Sequence, residues 1–212
     1  MSGDDDDVVW VDRRQDARIV VSIPGRFSLA DRRDMQGERR VFSCRAINVS
    51  SYAIALASAV SGKVGDRVIA EIEHLGKLKG SIMRVLERGF IMNIIATAEE
   101  REKLATKIEW LGKFKDHDEG DRRAQRRFAP ANPYSQIMLP DGSTQTCLVV
   151  DLSVSGAALS AEAVPDIGTV VAVGKIVGRV VRHFEGGFAV QFTERQSADE
   201  IEKKLLPNLL SR

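Results

Sequence analysis

The chain contains two copies of one sequence pattern, so its fold must be one that about half of its 212 residues can form. Cys44–Leu56 aligns with Cys147–Leu159 without a gap, and Gly80–Ile94 aligns with Gly178–Phe192. Internal similarity at a fixed separation indicates a duplicated structural unit. We therefore expect two small domains of the same fold rather than one large domain.

The repeated segments are typical of short β-strands. They are rich in valine and isoleucine and often alternate apolar with polar residues, as in Arg67–Glu73. Glycine-containing turns separate them at Ser61–Gly65, Pro140–Ser143 and Glu185–Gly187. Several short strands divided in this way predict a mainly β fold, with a small antiparallel barrel or sandwich in each half.

Each half ends in a segment with helical character. Thr97–Glu100 and Ser197–Glu200 both have the sequence of a capping box, and apolar residues at helical spacing follow each of them. These features predict helices over about residues 98–111 and 198–206. The predicted division is a disordered acidic tail at 1–11, a first domain at 12–112, a linker at 113–120 and a second domain at 121–212.

The charge balance argues against a strong overall attraction to nucleic acid or to an anionic membrane. The chain carries 31 basic and 30 acidic residues, a net charge of +1, so an anion site must be a local cluster of basic residues. No apolar run approaches the ~20 residues that span a bilayer, and the acidic first residues do not resemble a signal peptide. We therefore expect a cytoplasmic protein without membrane insertion.

The cysteines and histidines do not form a catalytic or metal-binding pattern. Cys44 and Cys147 lie at equivalent positions of the two repeats, which favours small buried side chains over a disulfide. The three histidines, His74, His117 and His183, are far apart and lack ligand spacing. Because no nucleophile, poised base or metal cluster is evident, we predict a binding protein that is not an enzyme and needs no cofactor or metal.

An arginine cluster precedes the first strand of each half. The clusters consist of Arg122, Arg123, Arg126 and Arg127 in the second half, and of Arg13, Arg14 and Arg18 in the first. Guanidinium groups match phosphate oxygens and the edge of guanine, and their flat face stacks on purines. One isolated cluster would be explained more simply as a solvated basic segment. Recurrence in both halves favours a role in binding.

Each cluster is followed by a short polar turn at the same place in the repeat. The turn residues are Asp151, Ser153 and Gly156 in the second half, and Asn48, Ser50 and Ala53 in the first. Such a turn alone would be explained as a connection between two strands. The conjunction of cluster and turn is more specific than either part, and it predicts a ligand site in each half.

An RxxxR segment followed by a D/N-x-S-x-x-G turn resembles the signature of the PilZ domain. The resemblance covers about residues 12–112 and 121–206 and is that of the tandem PilZ proteins of bacteria. It implies two six-stranded antiparallel barrels, each followed by a helix. It also implies a receptor for the second messenger cyclic di-GMP, which changes conformation on binding and affects motility, exopolysaccharide or biofilm output.

The resemblance assigns ligand contacts residue by residue. In the second half they are the RxxxR pair Arg123 and Arg127, the alternative pair Arg122 and Arg126, and the turn residues Asp151, Ser153 and Gly156. In the first half they are Arg14 and Arg18, preceded by Arg13, with Asn48 and Ser50 in the turn. Ala53 replaces the glycine there, and its added methyl group is one way to weaken the site, by blocking a close ligand contact. If that position requires a positive φ, alanine costs on the order of 1 kcal/mol, which would weaken binding about fivefold to tenfold.

Other functions and partners stay open at the level of sequence. One alternative is a degenerate PilZ adaptor that binds a protein and no nucleotide. A barrel that binds RNA or single-stranded DNA is disfavoured, because only 6% of residues are aromatic and neither arginine cluster contains an aromatic residue. The expected partners are cyclic di-GMP and a downstream protein of unknown identity. Association into a homo-oligomer is a further possibility, whereas a nucleic acid polymer is not expected.

Overall fold

Two closed six-stranded barrels and two helices make up the regular structure of the residues that the computed structural model describes, which are 18–34, 36–113, 132–197 and 200–205. Barrel 1 comprises β1 (Ile19–Arg33), β2 (Arg39–Val49), β3 (Ala53–Ala57), β4 (Arg67–Ile72), β5 (Gly76–Leu86) and β6 (Gly89–Asn93), followed by helix α1 (Ala98–Lys113). Barrel 2 comprises β7 (Tyr134–Met138), β8 (Thr144–Ser153), β9 (Gly156–Ala161), β10 (Val170–Val173), β11 (Ile176–Phe184) and β12 (Gly187–Phe192), followed by helix α2 (Ile201–Leu205).

The two barrels have the same topology. Their strand orders are β1-β2-β3-β6-β5-β4 and β7-β8-β9-β12-β11-β10, and all neighbouring strands are antiparallel. Closure pairs the first strand of each barrel with the fourth, which leaves no open sheet edge. The predicted mainly β class, with two six-stranded antiparallel barrels, is therefore confirmed.

Each barrel encloses its own hydrophobic core, as the alternation of apolar residues predicts. In barrel 1 the ring of Phe27 lies 5.6 Å from that of Phe42 and 5.0 Å from that of Phe90, measured between centroids. Phe188 of barrel 2 is equivalent to Phe90, and both are fully buried. The aromatic side chains fill the interior of such narrow barrels, so the barrels are packed cores and ligands must bind outside them.

Helix α1 begins at the predicted capping box. The backbone N–H of Thr97 donates to the Glu100 carboxylate at 2.8 Å, and the N–H of Glu100 donates to Thr97 Oγ1 at 3.2 Å. These hydrogen bonds from Thr97 hold the pKa of the exposed Glu100 carboxyl below its usual value. Leu104 and Ile108 on one face of the helix are buried against barrel 1.

Both cysteines are buried and free, which confirms that they serve as small core side chains. Burial raises the pKa of the Cys147 thiol to about 12 and also raises that of Cys44. Both thiols are therefore protonated at neutral pH and are poor nucleophiles and metal ligands.

The barrels pack against each other through β2 and the strands β8 and β9. The backbone N–H of Ser43 in β2 lies 3.1 Å from both Gly186 O and Ser160 Oγ of barrel 2. The Tyr134 hydroxyl donates to the carbonyl of Arg88 at 2.6 Å, and burial raises the pKa of Tyr134 to about 12. These contacts fix part of barrel 2 directly on barrel 1.

Ion pairs surround this interface. Arg26 contacts Glu185, while Arg32 and Arg40 lie 3.1 and 3.3 Å from the Glu162 carboxylate. Most of these side chains are about half exposed, so water screens the attraction and each pair contributes little to stability.

Among the described residues, no helix has the length and apolar character needed to cross a membrane. The same part of the chain contains no group of three or more His, Cys, Asp or Glu side chains placed to hold a metal ion.

Candidate functional site

A shallow cavity of about 220 Å³ lies on the outer face of barrel 2, at the predicted polar turn. Its lining includes Asp151, Ser153 and Gly156 from the turn, together with Arg182 and Gln191 from the neighbouring strands. The structure thus brings the three predicted turn residues to one surface. The remaining walls come from β9, β11 and β12.

A β-bulge in β8 sets the position of Asp151. Val149 pairs with Leu159 and Asp151 pairs with Ala158, so Val150 is an extra residue without a partner on β9. Bulges bend a strand locally and change the direction of the side chains that follow. The Asp151 side chain is half-buried and lines the cavity, where its carboxylate can accept hydrogen bonds from a ligand.

A second bulge places an arginine on the other side of the cavity. In β11, Val180 pairs with Val190 and Arg182 pairs with Ala189, which leaves Val181 without a partner on β12. Arg182 is exposed and lines the same cavity as Asp151. The cavity therefore combines a hydrogen-bond acceptor with a cation suited to a phosphate.

Arg182 was not among the predicted site residues. Its guanidinium lies 5.7 Å from the centroid of the Phe184 ring, a contact that restrains the long side chain near the cavity. The internal alignment contains a signal for it, because Arg84 occupies the equivalent position of the first repeat. The bulge that orients it is not visible in a pattern of alternating residues.

Ser153 shapes the turn. Its hydroxyl donates to the carbonyl of Gly156 at 3.2 Å and lies 3.3 Å from Ser155 Oγ. Ser50 takes the same part in barrel 1, where its hydroxyl donates to the carbonyl of Ala53 at 3.4 Å and accepts from the Ala53 N–H at 3.2 Å. A serine hydroxyl has one donor and two acceptor positions, so toward a ligand Ser153 is better placed to accept than to donate.

Barrel 1 has a corresponding cavity of about 290 Å³. It is lined by Arg18, Asn48, Ser50, Ala53 and Arg84, together with apolar residues of the barrel. The strands again carry bulges at equivalent places. Ile47 of β2 has no partner on β3, and Met83 of β5 has no partner on β6. The structure thus places Arg18 of the first arginine cluster in one cavity lining with Asn48 and Ser50, and their role as ligand contacts stays a prediction.

The expectation that the turn glycine needs a positive φ is wrong. Neither Gly156 nor Ala53 has a positive φ. A Cβ on Gly156 would instead lie 2.5 Å from the carbonyl oxygen of Val190, so the glycine allows β12 to approach closely. The fivefold to tenfold penalty assigned to Ala53 on conformational grounds therefore has no basis in barrel 1.

The remaining arginines of the predicted sites lie outside the described residues. They are Arg13 and Arg14 of the first cluster, and Arg122, Arg123, Arg126 and Arg127 of the second. The predicted tail at 1–11 and nearly all of the linker at 113–120 are also outside the described part of the chain. The contact of these arginines with the cavities stays a prediction.

Comparison with protein families gives one match, over the half of the chain that carries the complete turn. Residues 121–210 match the PilZ domain. The matched residues include the cavity at Asp151 and the arginine cluster at Arg122–Arg127. Barrel 1 shares its topology. No curated protein matches the chain.

Several solved structures show weak similarity to the whole chain. Borreliella burgdorferi PlzA, in complex with c-di-GMP, is 12% identical with a TM-score of 0.28, and the alignment covers 89% of this chain and 91% of PlzA. Bacillus subtilis MotI/DgrA, an inhibitor of motility, is 11% identical with a TM-score of 0.29, at coverages of 88% and 94%. Escherichia coli YcgR, in complex with c-di-GMP, is 15% identical with a TM-score of 0.24, at coverages of 86% and 80%.

Proposed function

We propose that this protein is a cyclic di-GMP receptor whose principal site is the cavity of the PilZ domain. The observation that carries the proposal is the cavity lined by Asp151, Ser153 and Gly156, within the residues that match the PilZ family. The bound ligand would change the conformation of the protein and so regulate motility, exopolysaccharide or biofilm output through a downstream protein partner.

The chemistry of the cavity suits one edge of a guanine nucleotide. The Asp151 carboxylate can accept from the N–H groups of a guanine, and Arg182 can pair with a phosphate. The cavity of about 220 Å³ is below the ~300–1,000 Å³ typical of ligand pockets. It therefore supplies one wall of a dinucleotide site. Arg122, Arg123, Arg126 and Arg127 are the groups that we propose complete it over the second guanine and the phosphates.

Barrel 1 carries a second, weaker site in this proposal, formed by Arg13, Arg14, Arg18, Asn48 and Ser50. Its cavity has the same construction, and Arg18 already lies in its lining. The turn has a neutral asparagine where the PilZ domain has Asp151. Hydrogen bonds to a charged acceptor are stronger than those to a neutral one, so we attribute the lower affinity to Asn48 rather than to Ala53.

The direct test is calorimetric titration of the full chain with cyclic di-GMP. We expect saturable binding with a strong phase at the PilZ domain and a weaker phase at barrel 1. Absence of heat at high micromolar ligand, with circular dichroism showing a folded protein, would contradict the proposal. It would then favour an adaptor that binds a protein and no nucleotide.

Asp151→Ala is expected to lower the affinity of the strong binding phase about 30-fold. A hydrogen bond to a charged group contributes about 2 kcal/mol when it is desolvated by the ligand. The matched control is Asn48→Ala, which removes the equivalent side chain of barrel 1 and should leave the strong phase unchanged. Titration of both variants checks the prediction. Equal losses in the two variants would show that the principal site is not at Asp151.

Arg182→Ala is expected to lower the affinity of the strong binding phase about fivefold. The loss is smaller than for Asp151 because the Arg182 side chain is exposed and water competes for its partner. Because the contact is electrostatic, the loss should shrink as salt is raised from 50 to about 500 mM. The control is Arg84→Ala, the equivalent residue in barrel 1. A loss that does not depend on salt would contradict a phosphate contact.

A further inference from the structure

Arg45 is an arginine buried between the two barrels. It lies on β2 in barrel 1, on the face that packs against barrel 2, and only 7% of its surface is exposed. One Nη group donates to Ser22 Oγ at 3.3 Å, and the other donates to the carbonyl of Val150 in barrel 2 at 3.2 Å. Its Nε is buried and has no hydrogen-bond partner in the described part of the chain.

The acceptor of Arg45 is the bulged residue that precedes Asp151. Val150 has no partner on β9, because the ladder passes from Val149 directly to Asp151. A bulge interrupts the ladder and is held in one geometry only if its backbone groups find other partners. The guanidinium of Arg45 supplies such a partner from the other barrel. It therefore acts on the element that directs Asp151 toward the cavity.

The electrostatic environment agrees with this geometry. Burial lowers the pKa of Arg45, while the nearby carboxylate of Asp151 opposes that effect. The Asp151 carboxylate is thus near Arg45, although Arg45 is not part of the cavity lining. In barrel 1 the bulged residue is Ile47, which is 36% exposed, so its environment differs from that of Val150.

We propose that Arg45 of barrel 1 is a positioning residue for the ligand site of the PilZ domain, holding the Val150 bulge and, through it, the Asp151 carboxylate. The inference rests on the proposed function and adds that barrel 1 supports the site of barrel 2. It assigns Arg45 a role other than stability. A buried arginine with an unpaired Nε is costly, and an apolar side chain of similar length would pack at least as well.

Three measurements on Arg45→Met in the full chain test this inference. Cyclic di-GMP affinity at the strong phase should fall about tenfold, while the melting temperature stays the same or rises. Hydrogen exchange of the amides of residues 148–153, measured without ligand, should become faster. Arg45→Gln, which keeps an amide donor but no charge, should lose affinity about threefold and serves as the test variant if Arg45→Met does not fold.

Ser160→Ala is the matched control, since it removes a hydroxyl that accepts from Ser43 across the same interface without touching the bulge. Its affinity should stay within about twofold of the wild type. Wild-type affinity and exchange in both Arg45 variants would overturn the inference and leave the receptor function intact. If the wild type binds no ligand, the proposed function fails. The exchange rates then still decide whether Arg45 holds the bulge.

Discussion

Replacement of Arg123 or Arg127 by alanine is expected to lower the affinity for cyclic di-GMP at the strong phase at least about 100-fold. Each arginine of the RxxxR pair is proposed to make a charge-assisted, paired contact with a phosphate or with the Hoogsteen edge of guanine. Such a contact contributes about 3 kcal/mol, which corresponds to a factor of roughly 100. Calorimetric titration of the full chain measures the loss directly.

The internal repeat supplies the matched controls for this prediction. Arg14→Ala and Arg18→Ala remove the equivalent pair of barrel 1, and Arg18 lines the barrel 1 cavity. These variants should lower only the affinity of the second, weaker binding phase. The alternative register of the cluster is tested by Arg122→Ala and Arg126→Ala. The reverse ranking, with larger losses for Arg14 and Arg18 than for Arg123 and Arg127, would place the principal site in barrel 1.

The repeat and the alternation of apolar residues made a small barrel or sandwich in each half predictable, whereas the number of strands came only from the family resemblance. Phe90 and Phe188 occupy equivalent core positions, and the same strand order encloses them. The capping box at Thr97 likewise predicted where helix α1 begins. The helix continues to Lys113, beyond the expected end near residue 111.

The lining of the candidate site was predictable only where the sequence motif names its residues. Asp151, Ser153 and Gly156 do line one cavity. Arg182 was missed because the bulge at Val181 shifts the strand by one residue, whereas alternation assumes an uninterrupted strand. The role of Arg45 could not be predicted from the sequence for another reason. Its burial arises from the packing of a second barrel about 100 residues away in sequence, as its contact with Val150 shows.

Gly187→Ala is expected to lower the free energy of unfolding of barrel 2 by about 3 kcal/mol, among the largest effects of any single substitution in the chain. A Cβ at Gly187 would lie 2.0 Å from the carbonyl oxygen of Leu159 on β9. That oxygen belongs to the backbone of a paired strand, so β9 and β12 would have to separate to accept a methyl group. Urea denaturation, followed by the near-ultraviolet signal of the folded protein, measures the change.

Gly168→Ala is the control that separates steric overlap from backbone conformation. Gly168 has a φ of +93°, but no atom lies within 4 Å of a Cβ built there. Alanine at this position lowers the free energy of unfolding only through its unfavourable backbone conformation, by about 1–2 kcal/mol. Gly187→Ala should therefore cost clearly more than Gly168→Ala. It should also weaken ligand binding, because β9 and β12 both contribute to the cavity lining. Equal destabilisation by the two substitutions would show that β9 and β12 can move apart without loss of the barrel.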